Sequence, residues 1–267
     1  MPWPYKTVLV IGCTAGIGVA LAERMIEAGC FVIAAGRRED RLEAFRAKHG
    51  VDKVAISKVD VTELGSLKGW AEGIIKSHPT LDCVILNAGI QRTLNFTSPS
   101  TIDLSLVDAE IATNYTSTVH LAASFLAHLQ SIAPNPAALA FVTSGLALVP
   151  LPRCAGYCAT KAAVHSLAWS MRAQLAAHDG SKHIRVFDII PPAVQTELHS
   201  QQPDLVKEGL GNIGIEIGEF TEEAWEGLEG GREEILVGPL KKGAAHVEDV
   251  KREAFEKMKA GSKGVTT

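Results

Sequence analysis

Short apolar runs alternate with segments of helical periodicity along most of the chain. Continuous apolar runs such as Leu81–Leu86 and Leu139–Val142 are typical of strands that are buried on both faces of a parallel sheet. The pattern predicts strands near residues 6–11, 31–35, 54–59, 82–86, 138–143, 184–190 and 234–238, with helices between them. This alternation predicts an α/β fold: a doubly wound parallel sheet of about seven strands with helices on both faces and right-handed crossovers.

Residues that are able to bind or react follow most of the predicted strands. They are Gly12, Gly36, Asp60, Asn87, Ser144 and Pro191. In open α/β sheets, ligands bind beyond the carboxyl ends of the strands. We therefore expect these residues to meet at one edge of the sheet and to form one site.

A glycine-rich turn follows the first predicted strand, Lys6–Ile11. Gly12, Gly16 and Gly18 have the spacing Gly-x-x-x-Gly-x-Gly, and a helical stretch, Val19–Ala28, comes next. Glycine lets the backbone approach a pyrophosphate closely, and the N–H groups and dipole of a helix N-terminus favour negative charge. A turn that needs glycine only for tight packing is the alternative. A second predicted strand follows this helical stretch, and the strand–turn–helix–strand order favours a dinucleotide site.

Tyr157 and Lys161 lie four residues apart, with Ser144 thirteen residues upstream of the tyrosine. On a helix, residues with this spacing share one face at about 5–6 Å. A free phenol has a pKa of about 10, and a neighbouring cation favours its ionised form. We therefore expect Lys161 to lower the pKa of Tyr157, so that the phenol exchanges a proton with a carbonyl or alcohol near neutral pH. The Ser144 hydroxyl is a candidate to hold the reacting oxygen.

Together these residues resemble the short-chain dehydrogenase/reductase family, over Lys6 to about Gly238. Further matches fall in the family's order: Asp60-Val61, Asn87-Ala88-Gly89, Asn114, and the Pro-Pro-Ala-Val-Gln-Thr run at 191–196. The resemblance implies a single NAD(P)-binding Rossmann-type domain over residues 1–267.

The resemblance also implies a role for each matching residue. The catalytic residues are Asn114, Ser144, Tyr157 and Lys161, where Lys161 also binds the nicotinamide ribose and Asn114 anchors a water beside it. The implied cofactor contacts are Gly12, Thr14, Ala15, Gly16, Ile17, Gly18, Arg37, Arg38, Asp60, Val61, Asn87, Ala88, Gly89, Tyr157, Lys161, Pro191, Val194 and Thr196.

Two residues depart from the family pattern. Ile11 stands where the family usually has Thr before its first glycine, which removes a hydroxyl that often steadies the turn. Pro192 replaces the usual Gly, which fixes φ near about −65° and deletes an N–H close to the expected nicotinamide position. Neither change removes a catalytic group.

The end of the second predicted strand bears on the choice of cofactor. An acidic residue at this position binds the ribose 2′-hydroxyl of NAD, whereas an Arg accommodates the 2′-phosphate of NADP. The sequence at 36–40 is Gly-Arg-Arg-Glu-Asp, so Arg37 is the candidate for bidentate phosphate binding, with Arg38 as support or stacked on the adenine. The alternative is that both arginines are solvated. The pattern favours NADP(H).

The sequence thus predicts an NADPH-dependent carbonyl reductase, an oxidoreductase of the CH–OH class, with Tyr157 as general acid. An NADP-dependent alcohol dehydrogenase that works in the oxidative direction is one alternative. A family member that senses cofactor or catalyses a non-redox reaction is the other. The four catalytic positions are filled, which favours a redox enzyme.

Two apolar segments bear on the substrate. Residues 145–152 either line the pocket or pack against the chain's own core, and residues 198–220 are predicted to be a long loop within a substrate-covering segment, 198–230. The apolar residues of this loop favour an apolar ketone or aldehyde. Gln91 and Arg92 are candidates to touch a polar substituent of the substrate, but we expect them at a water-exposed rim.

Composition and charge exclude several other classes. A hydrophobic content of 46% suits a buried parallel sheet, and a net charge of −4 offers no basic footprint for nucleic acid. The five cysteines and nine histidines show no metal-type spacing, so no metal is expected. No apolar stretch reaches the about 20 residues that a membrane span needs. The first residues, Met1–Pro4, lead directly into the first strand without a signal peptide, so we expect a cytoplasmic protein.

The resemblance also implies self-association, as a homodimer or homotetramer. Residues 239–267 extend past the last predicted strand as a C-terminal tail. Such a tail either covers the last edge of the sheet or reaches a partner subunit.

Overall fold

The computed structural model describes residues 3–261 and forms a sheet of seven parallel strands. The strands are β1 (Thr7–Ile11), β2 (Phe31–Gly36), β3 (Val54–Lys58), β4 (Cys83–Leu86), β5 (Ala137–Val142), β6 (Ile184–Ile190) and β7 (Glu234–Leu236). Their order across the sheet is β3-β2-β1-β4-β5-β6-β7. The predicted α/β fold and its seven strands are confirmed, with strand ends that differ by at most two residues.

Helices connect the strands and cover both faces of the sheet. They are α1 (Gly16–Glu27), α2 (Glu39–His49), α3 (Leu64–Ser77), α4 (Leu104–Ile111), α5 (Ser117–Ser131), α6 (Ala155–Ala177), α7 (Glu197–Ser200), α8 (Pro203–Lys207), α9 (Ile217–Glu229), α10 (Leu240–Gly243) and α11 (Ala245–Gly261). None of the helices within residues 3–261 is long and apolar enough to cross a membrane.

Alternate residues of each strand pack on opposite faces of the sheet. In β1, Val8 and Val10 join the core formed with α1 and α9, whereas Leu9 and Ile11 join the core formed with α3, α5 and α6. All four side chains are at most 1% exposed. Burial on both faces explains why the strands appear in the sequence as continuous apolar runs.

The strand order reverses direction at β1, which pairs with β2 on one side and β4 on the other. The last residue of β1, Ile11, lies opposite Ala35 and Leu86. A crevice opens beyond the carboxyl ends of strands at such a reversal. Gly12 and Asn87, which follow β1 and β4, are therefore neighbours at its floor.

A π-helical segment, Ala112–Thr116, separates α4 from α5. The wider turn interrupts an otherwise continuous helical run at Asn114. Such single-turn π segments occur frequently at functional sites. Asn114 is 1% exposed and points into the protein.

The segment after β6 is more ordered than the long loop predicted for residues 198–220. It contains the short helices α7 and α8, and Val194 and Ile215 form a parallel bridge that closes its ends. Phe220 already belongs to α9 and is fully buried in the core. The prediction of one long loop was wrong in part, because helices occupy 197–200, 203–207 and the residues from Ile217 onward and leave only 208–216 as a loop.

The C-terminal residues fold back onto their own chain. In α11, Phe255 stacks edge-on against Trp169 of α6, with ring centroids 5.3 Å apart, and Arg252 pairs with Glu234 of β7. The described part of the predicted tail therefore covers α6 and contacts the last strand. Residues 262–267 of that tail, and the first two residues of the expected N-terminal run, lie outside the described residues.

Candidate active site

The glycine turn brings β1, α1 and β4 into close contact. Gly12 has φ +90°, and a Cβ there would lie 2.7 Å from the backbone nitrogen of Ala88. A Cβ on Gly18 would lie 2.2 Å from the carbonyl oxygen of Gly12. That oxygen also accepts a hydrogen bond from Nδ2 of Asn87 at 3.0 Å. Only glycine fits at these positions.

The N-terminus of α1 opens onto a cleft of about 490 Å³ beyond the carboxyl ends of the strands. Within residues 3–261, no side chain caps this helix, and its first turn carries no acidic residue. The free N–H groups and the helix dipole therefore favour an anion at this end of the cleft. The cleft has the size and the chemistry to hold a dinucleotide, with the pyrophosphate against Gly12–Gly18.

Ser144 and Tyr157 meet at the inner end of this cleft. Ser144 follows β5 and its Oγ accepts a hydrogen bond from the backbone nitrogen of Leu146 at 3.1 Å. Burial raises the pKa of Tyr157 well above its ordinary value, although its hydrogen bond with Ser144 opposes the shift. This direction is opposite to the one expected from a neighbouring cation, because the phenol is only 6% exposed. Tyr157 is therefore protonated at neutral pH.

Lys161 lies one helical turn beyond Tyr157, with Nζ 5.6 Å from the centroid of the phenol ring. Its Nζ donates a hydrogen bond to the carbonyl oxygen of Val142 at 2.8 Å. Burial lowers the pKa of Lys161 to about 8, although the charge of Asp188 opposes the shift. The lysine can thus exchange a proton near neutral pH.

Asn114 supports the backbone that faces Lys161. Its Oδ1 accepts from the nitrogen of Ile90 and its Nδ2 donates to the oxygen of Ile90, both at 2.8 Å. A Cβ built on Gly89 would lie 3.4 Å from both Asn114 Oδ1 and Lys161 Nζ. Asn114 and Lys161 therefore flank the same glycine.

The two predicted cofactor arginines have different environments. Arg38 donates to Thr14 Oγ1 at 2.9 and 3.0 Å and pairs with Glu197 at 2.7 Å, so its guanidinium is already engaged. Arg37 is 58% exposed and lies 3.9 Å from Asp60. Of the two, Arg37 is the one whose guanidinium is free to turn towards a phosphate.

Asp60 is fixed by its own local turn. Its Oδ1 accepts from the backbone nitrogen and the hydroxyl of Thr62 at 2.9 and 2.7 Å. Burial opposes ionisation, but these hydrogen bonds and the charge of Arg37 hold the pKa of Asp60 below its usual range. The carboxylate is thus ionised and oriented at the rim of the cleft.

The chain also matches known proteins over most of its length. The family model described as short chain dehydrogenase matches residues 6–205. The chain belongs to the short-chain dehydrogenase family. A relative named "Uncharacterized oxidoreductase DltE", from Bacillus subtilis, is 38% identical over 86% of this chain and 87% of its own length. The yeast protein "Benzil reductase ((S)-benzoin forming) IRC24", from Saccharomyces cerevisiae, is 28% identical over 79% of this chain and 78% of its own.

Solved structures of short-chain dehydrogenases have the same fold. One from Burkholderia cenocepacia, in complex with NADP, superposes with a TM-score of 0.75 at 26% identity, covering 97% of this chain and 98% of its own. Another from Burkholderia phymatum, in complex with NAD, has a TM-score of 0.80 at 17% identity and covers 95% of this chain and 96% of its own. Proteins of this fold thus bind either dinucleotide.

Most of the residues predicted for the dehydrogenase site line the cleft. They are Gly12, Thr14, Ala15, Gly16, Ile17, Arg37, Arg38, Val61, Asn87, Ala88, Gly89, Tyr157, Lys161, Pro191 and Thr196. The others stand behind or beside it. Gly18 packs under the turn, Asp60 lies beside Arg37, Asn114 lies behind Gly89, and Ser144 bonds Tyr157. Val194 is buried in the bridge with Ile215, so its side chain makes no contact with the cleft.

The part of the cleft beside α8 is more polar than predicted. Gln91 is 3% exposed and lines the cleft, so its placement at a water-exposed rim was wrong. Its Oε1 accepts from Gln202 Nε2 at 2.7 Å and from Arg153 at 3.1 Å, which also pairs with Asp204 at 2.6 Å. This polar latch, formed by Gln91, Arg153, Gln202 and Asp204, fastens α8 to the body of the protein.

Few of the apolar residues of the two candidate segments face the cleft. Leu198 lines it, whereas Val206 and Leu210 are exposed and Leu205 is buried outside the cleft lining. In residues 145–152, Leu146 packs with the cluster around Tyr157 and Val149 is 54% exposed.

Two contacts of the site had no sequence signal that we recognised. Glu197 accepts hydrogen bonds from Arg38 and from Arg41, which lie 159 and 156 residues away. The buried His165, one turn beyond Lys161, pairs with Asp188. An acidic residue directly after the Thr of the Pro-Pro-Ala-Val-Gln-Thr run was the available hint for the first contact.

Proposed function

We propose that this short-chain dehydrogenase is an NADPH-dependent carbonyl reductase that converts a ketone or aldehyde into an alcohol. The observation that carries the proposal is the placement of Tyr157, which lies beside Ser144 and one helical turn from Lys161 at the inner end of a dinucleotide-sized cleft. Reduction of a carbonyl needs a proton donor at its oxygen, and the Lys161 ammonium, 5.6 Å from the phenol ring, would stabilise the phenolate that donation by Tyr157 leaves.

The cleft residues fit a nicotinamide dinucleotide. The backbone of Gly12–Gly18 and the N-terminus of α1 would hold the pyrophosphate, and Asn87, Lys161 and Thr196 line the part of the cleft towards Tyr157. When bound, the reduced nicotinamide supplies the hydride. The protein supplies orientation and the proton.

NADPH is the proposed form because of the second strand. Gly36 leaves no acid to bind a ribose 2′-hydroxyl, and the exposed guanidinium of Arg37 stands at the adjoining edge of the cleft. Arg and phosphate make charge-assisted bidentate hydrogen bonds. Arg38, fixed by Thr14 and Glu197, offers a planar surface beside it.

The proton path runs through residues of this chain. Ser144 and Tyr157 hydroxyls hold the carbonyl oxygen, and the Tyr157 proton passes to that oxygen as the carbon is reduced. The resulting phenolate is stabilised by the ammonium of Lys161, 5.6 Å from the ring centroid. Lys161, with its pKa of about 8, then returns a proton, and Asn114 fixes the backbone beside it.

The proposed substrate is a ketone with apolar substituents and a polar group near the carbonyl. The yeast relative is named for reducing benzil, an aryl diketone, which matches this class. Leu198 and the ring of Tyr157 offer apolar surface, while Gln91 and Gln202 offer amide groups. The same residues catalyse alcohol oxidation when NADP is in excess.

The proposal is tested with NADPH that carries deuterium at the transferred position and a panel of benzil, aryl ketones and alkyl ketones. We expect NADPH oxidation and deuterium on the carbinol carbon of the product. Tight NADPH binding without turnover across this panel would instead favour a cofactor-sensing role. Turnover without deuterium in the alcohol would contradict direct hydride transfer.

A further inference from the structure

Three buried ionisable side chains lie outside the cleft, between α6, β6 and α11. His165 Nδ1 lies 2.6 Å from Asp188 Oδ2, and His165 Nε2 lies 2.9 Å from Glu248 Oε2. The three side chains are 4%, 0% and 1% exposed. Burial of two carboxylates and an imidazole is costly unless they compensate one another. Such a cluster needs an explanation beyond packing.

The geometry favours a charged imidazole. A neutral ring carries one N–H, so one carboxylate would then face a lone pair, whereas an imidazolium presents an N–H and positive charge to both carboxylates. The contact to Glu248 is short but not aligned as a hydrogen bond, so charge attraction holds it. Burial by itself lowers the pKa of His165, but the two carboxylates outweigh it and raise the pKa to about 9.

The cluster connects directly to the strand end that carries the catalytic groups. Asp188 Oδ1 accepts a hydrogen bond from Thr143 Oγ1 at 2.5 Å. Thr143 stands between Val142, whose carbonyl holds Lys161, and Ser144. A chain of contacts therefore runs from Glu248 through His165 and Asp188 to this strand end.

The C-terminal helices touch the active-site turn at a second point. Leu240 of α10 packs so closely on Gly145, the neighbour of Ser144, that a Cβ there would lie 2.7 Å from Leu240 Cδ2. The same pair of helices thus reaches both the turn after β5 and the buried imidazole.

We propose that Glu248 of the C-terminal helix is a positioning residue of the active site, acting through His165, Asp188 and Thr143 on the strand end that holds Lys161 and Ser144. Glu248 touches no reacting atom. It holds the imidazolium, which orients the Asp188 carboxylate towards the Thr143 hydroxyl. Helices α10 and α11 thereby complete the catalytic apparatus.

Three positively charged side chains lie near the two carboxylates of the cluster. Lys251 of α11 pairs with Glu248 at 2.8 Å, while Lys161 and Arg172 of α6 act on the Asp188 carboxylate from the other side. Loss of the His165 proton would leave the Asp188 charge facing Lys161 without its counter-charge. The charge state of the cluster therefore reaches the lysine that supports Tyr157.

The test is a double-mutant cycle with Glu248→Gln and Thr143→Val, which sit at the two ends of the chain of contacts. We expect each variant to lower kcat about tenfold, and the double variant to lose little more than either one, because both break the same path. Glu248→Gln should also move the alkaline limb of the kcat profile by about one pH unit to lower pH, because His165 loses an opposite charge.

Arg252→Gln is the matched control. It weakens the same helix at its contact with Glu234, away from His165. We expect its kcat to stay within about twofold of the parent and the alkaline limb of its pH profile to stay in place, although its Tm falls. If Arg252→Gln reproduces the loss seen in Glu248→Gln, or if the two losses of the cycle simply multiply, the positioning role is overturned.

A second readout separates this inference from the proposed function, on which its kinetic part rests. NADPH affinity needs no substrate, and Thr143 and Lys161 both line the cofactor cleft. We expect the affinity to fall about threefold or more in Glu248→Gln and in Thr143→Val, again without additivity, and to stay constant in Arg252→Gln. Equal affinities would overturn the inference even if the parent reduces no ketone. If Glu248→Gln fails to fold, His165→Gln, which breaks the middle of the chain of contacts at a residue outside the cleft, must show both losses with an unchanged circular dichroism spectrum.

Discussion

Lys161 Nζ donates a 2.8 Å hydrogen bond to the carbonyl oxygen of Val142, the last residue of β5. This bond ties α6, which carries Tyr157, to the strand that leads into Ser144. The bond therefore connects the elements that carry the three candidate catalytic side chains. Because both ends of the bond are buried, its geometry is protected from water.

Arg37 is expected to set the preference for NADPH. Arg37→Ala should reduce the ratio of kcat/KM for NADPH over NADH by about tenfold to a hundredfold, because a charge-assisted contact to the 2′-phosphate is worth about 1.5–3 kcal/mol. Steady-state kinetics with both cofactors measures this ratio. Arg46→Ala, which removes an exposed guanidinium from the far end of α2, is the control and should leave it unchanged. An unaltered preference in Arg37→Ala would contradict the assignment.

Gly18 is expected to tolerate no side chain. Gly18→Ala would place Cβ 2.2 Å from the Gly12 carbonyl oxygen, so the turn must shift. We expect a loss of about 1–3 kcal/mol in unfolding free energy and a large loss of NADPH affinity. Gly73→Ala is the matched control, because a Cβ there would meet no described heavy atom within 4 Å. It should stabilise α3 by about 0.5–1 kcal/mol and leave NADPH affinity intact.

The polar latch is expected to control substrate affinity more than chemistry. Arg153→Ala removes the ion pair with Asp204 and the hydrogen bonds to Gln91 and Gln202. The segment that carries α7 and α8 should then open more often, which should raise KM for the ketone about tenfold with a small change in kcat. Thr93→Val, which removes one hydroxyl partner of Arg153, should give an intermediate KM. A fall in kcat at constant KM would contradict this role.

Stability is expected to fall at alkaline pH through His165. Its pKa in the folded protein is raised to about 9, above the ordinary value of 6.5, so the folded state binds this proton more tightly than the unfolded state. The contribution is complete below about pH 6.5 and is lost as the pH rises through about 9; its upper bound is about 3 kcal/mol. Urea unfolding between pH 6 and pH 10 measures it. His165→Gln should lack this pH dependence, and an identical slope in parent and variant would contradict the prediction.

The sequence contained the information for the fold and for the order of the site residues along the chain. Strands that are buried on both faces give continuous apolar runs, so all seven were visible without a structure. The glycine turn and the Tyr157–Lys161 pair are local patterns, and local patterns fix local geometry. Ligands bind beyond the carboxyl ends of parallel strands, and this rule predicted where the two patterns come together.

Contacts between distant residues were not visible in the sequence. The pKa of Tyr157 is raised chiefly by burial, which depends on residues distant in the sequence. Glu197 contacts Arg38 across 159 residues of sequence, and Glu248 of α11 contacts His165 of α6. The apolar residues of 198–220 gave no periodicity that showed which of them face the cleft. These features are set by tertiary packing alone.

The most direct test of the central claim compares Tyr157→Phe with Tyr5→Phe. Tyr5 is a buried phenol of the core outside the cleft, so its loss controls for removal of a hydroxyl. With benzil and NADPH, we expect Tyr157→Phe to lower kcat by about 10²–10⁴-fold, the usual worth of general acid catalysis, with NADPH affinity nearly unchanged. Tyr5→Phe should retain the parent kcat. Parental kcat in Tyr157→Phe, or an equal loss of NADPH binding and turnover, would contradict the role of Tyr157 as the proton donor.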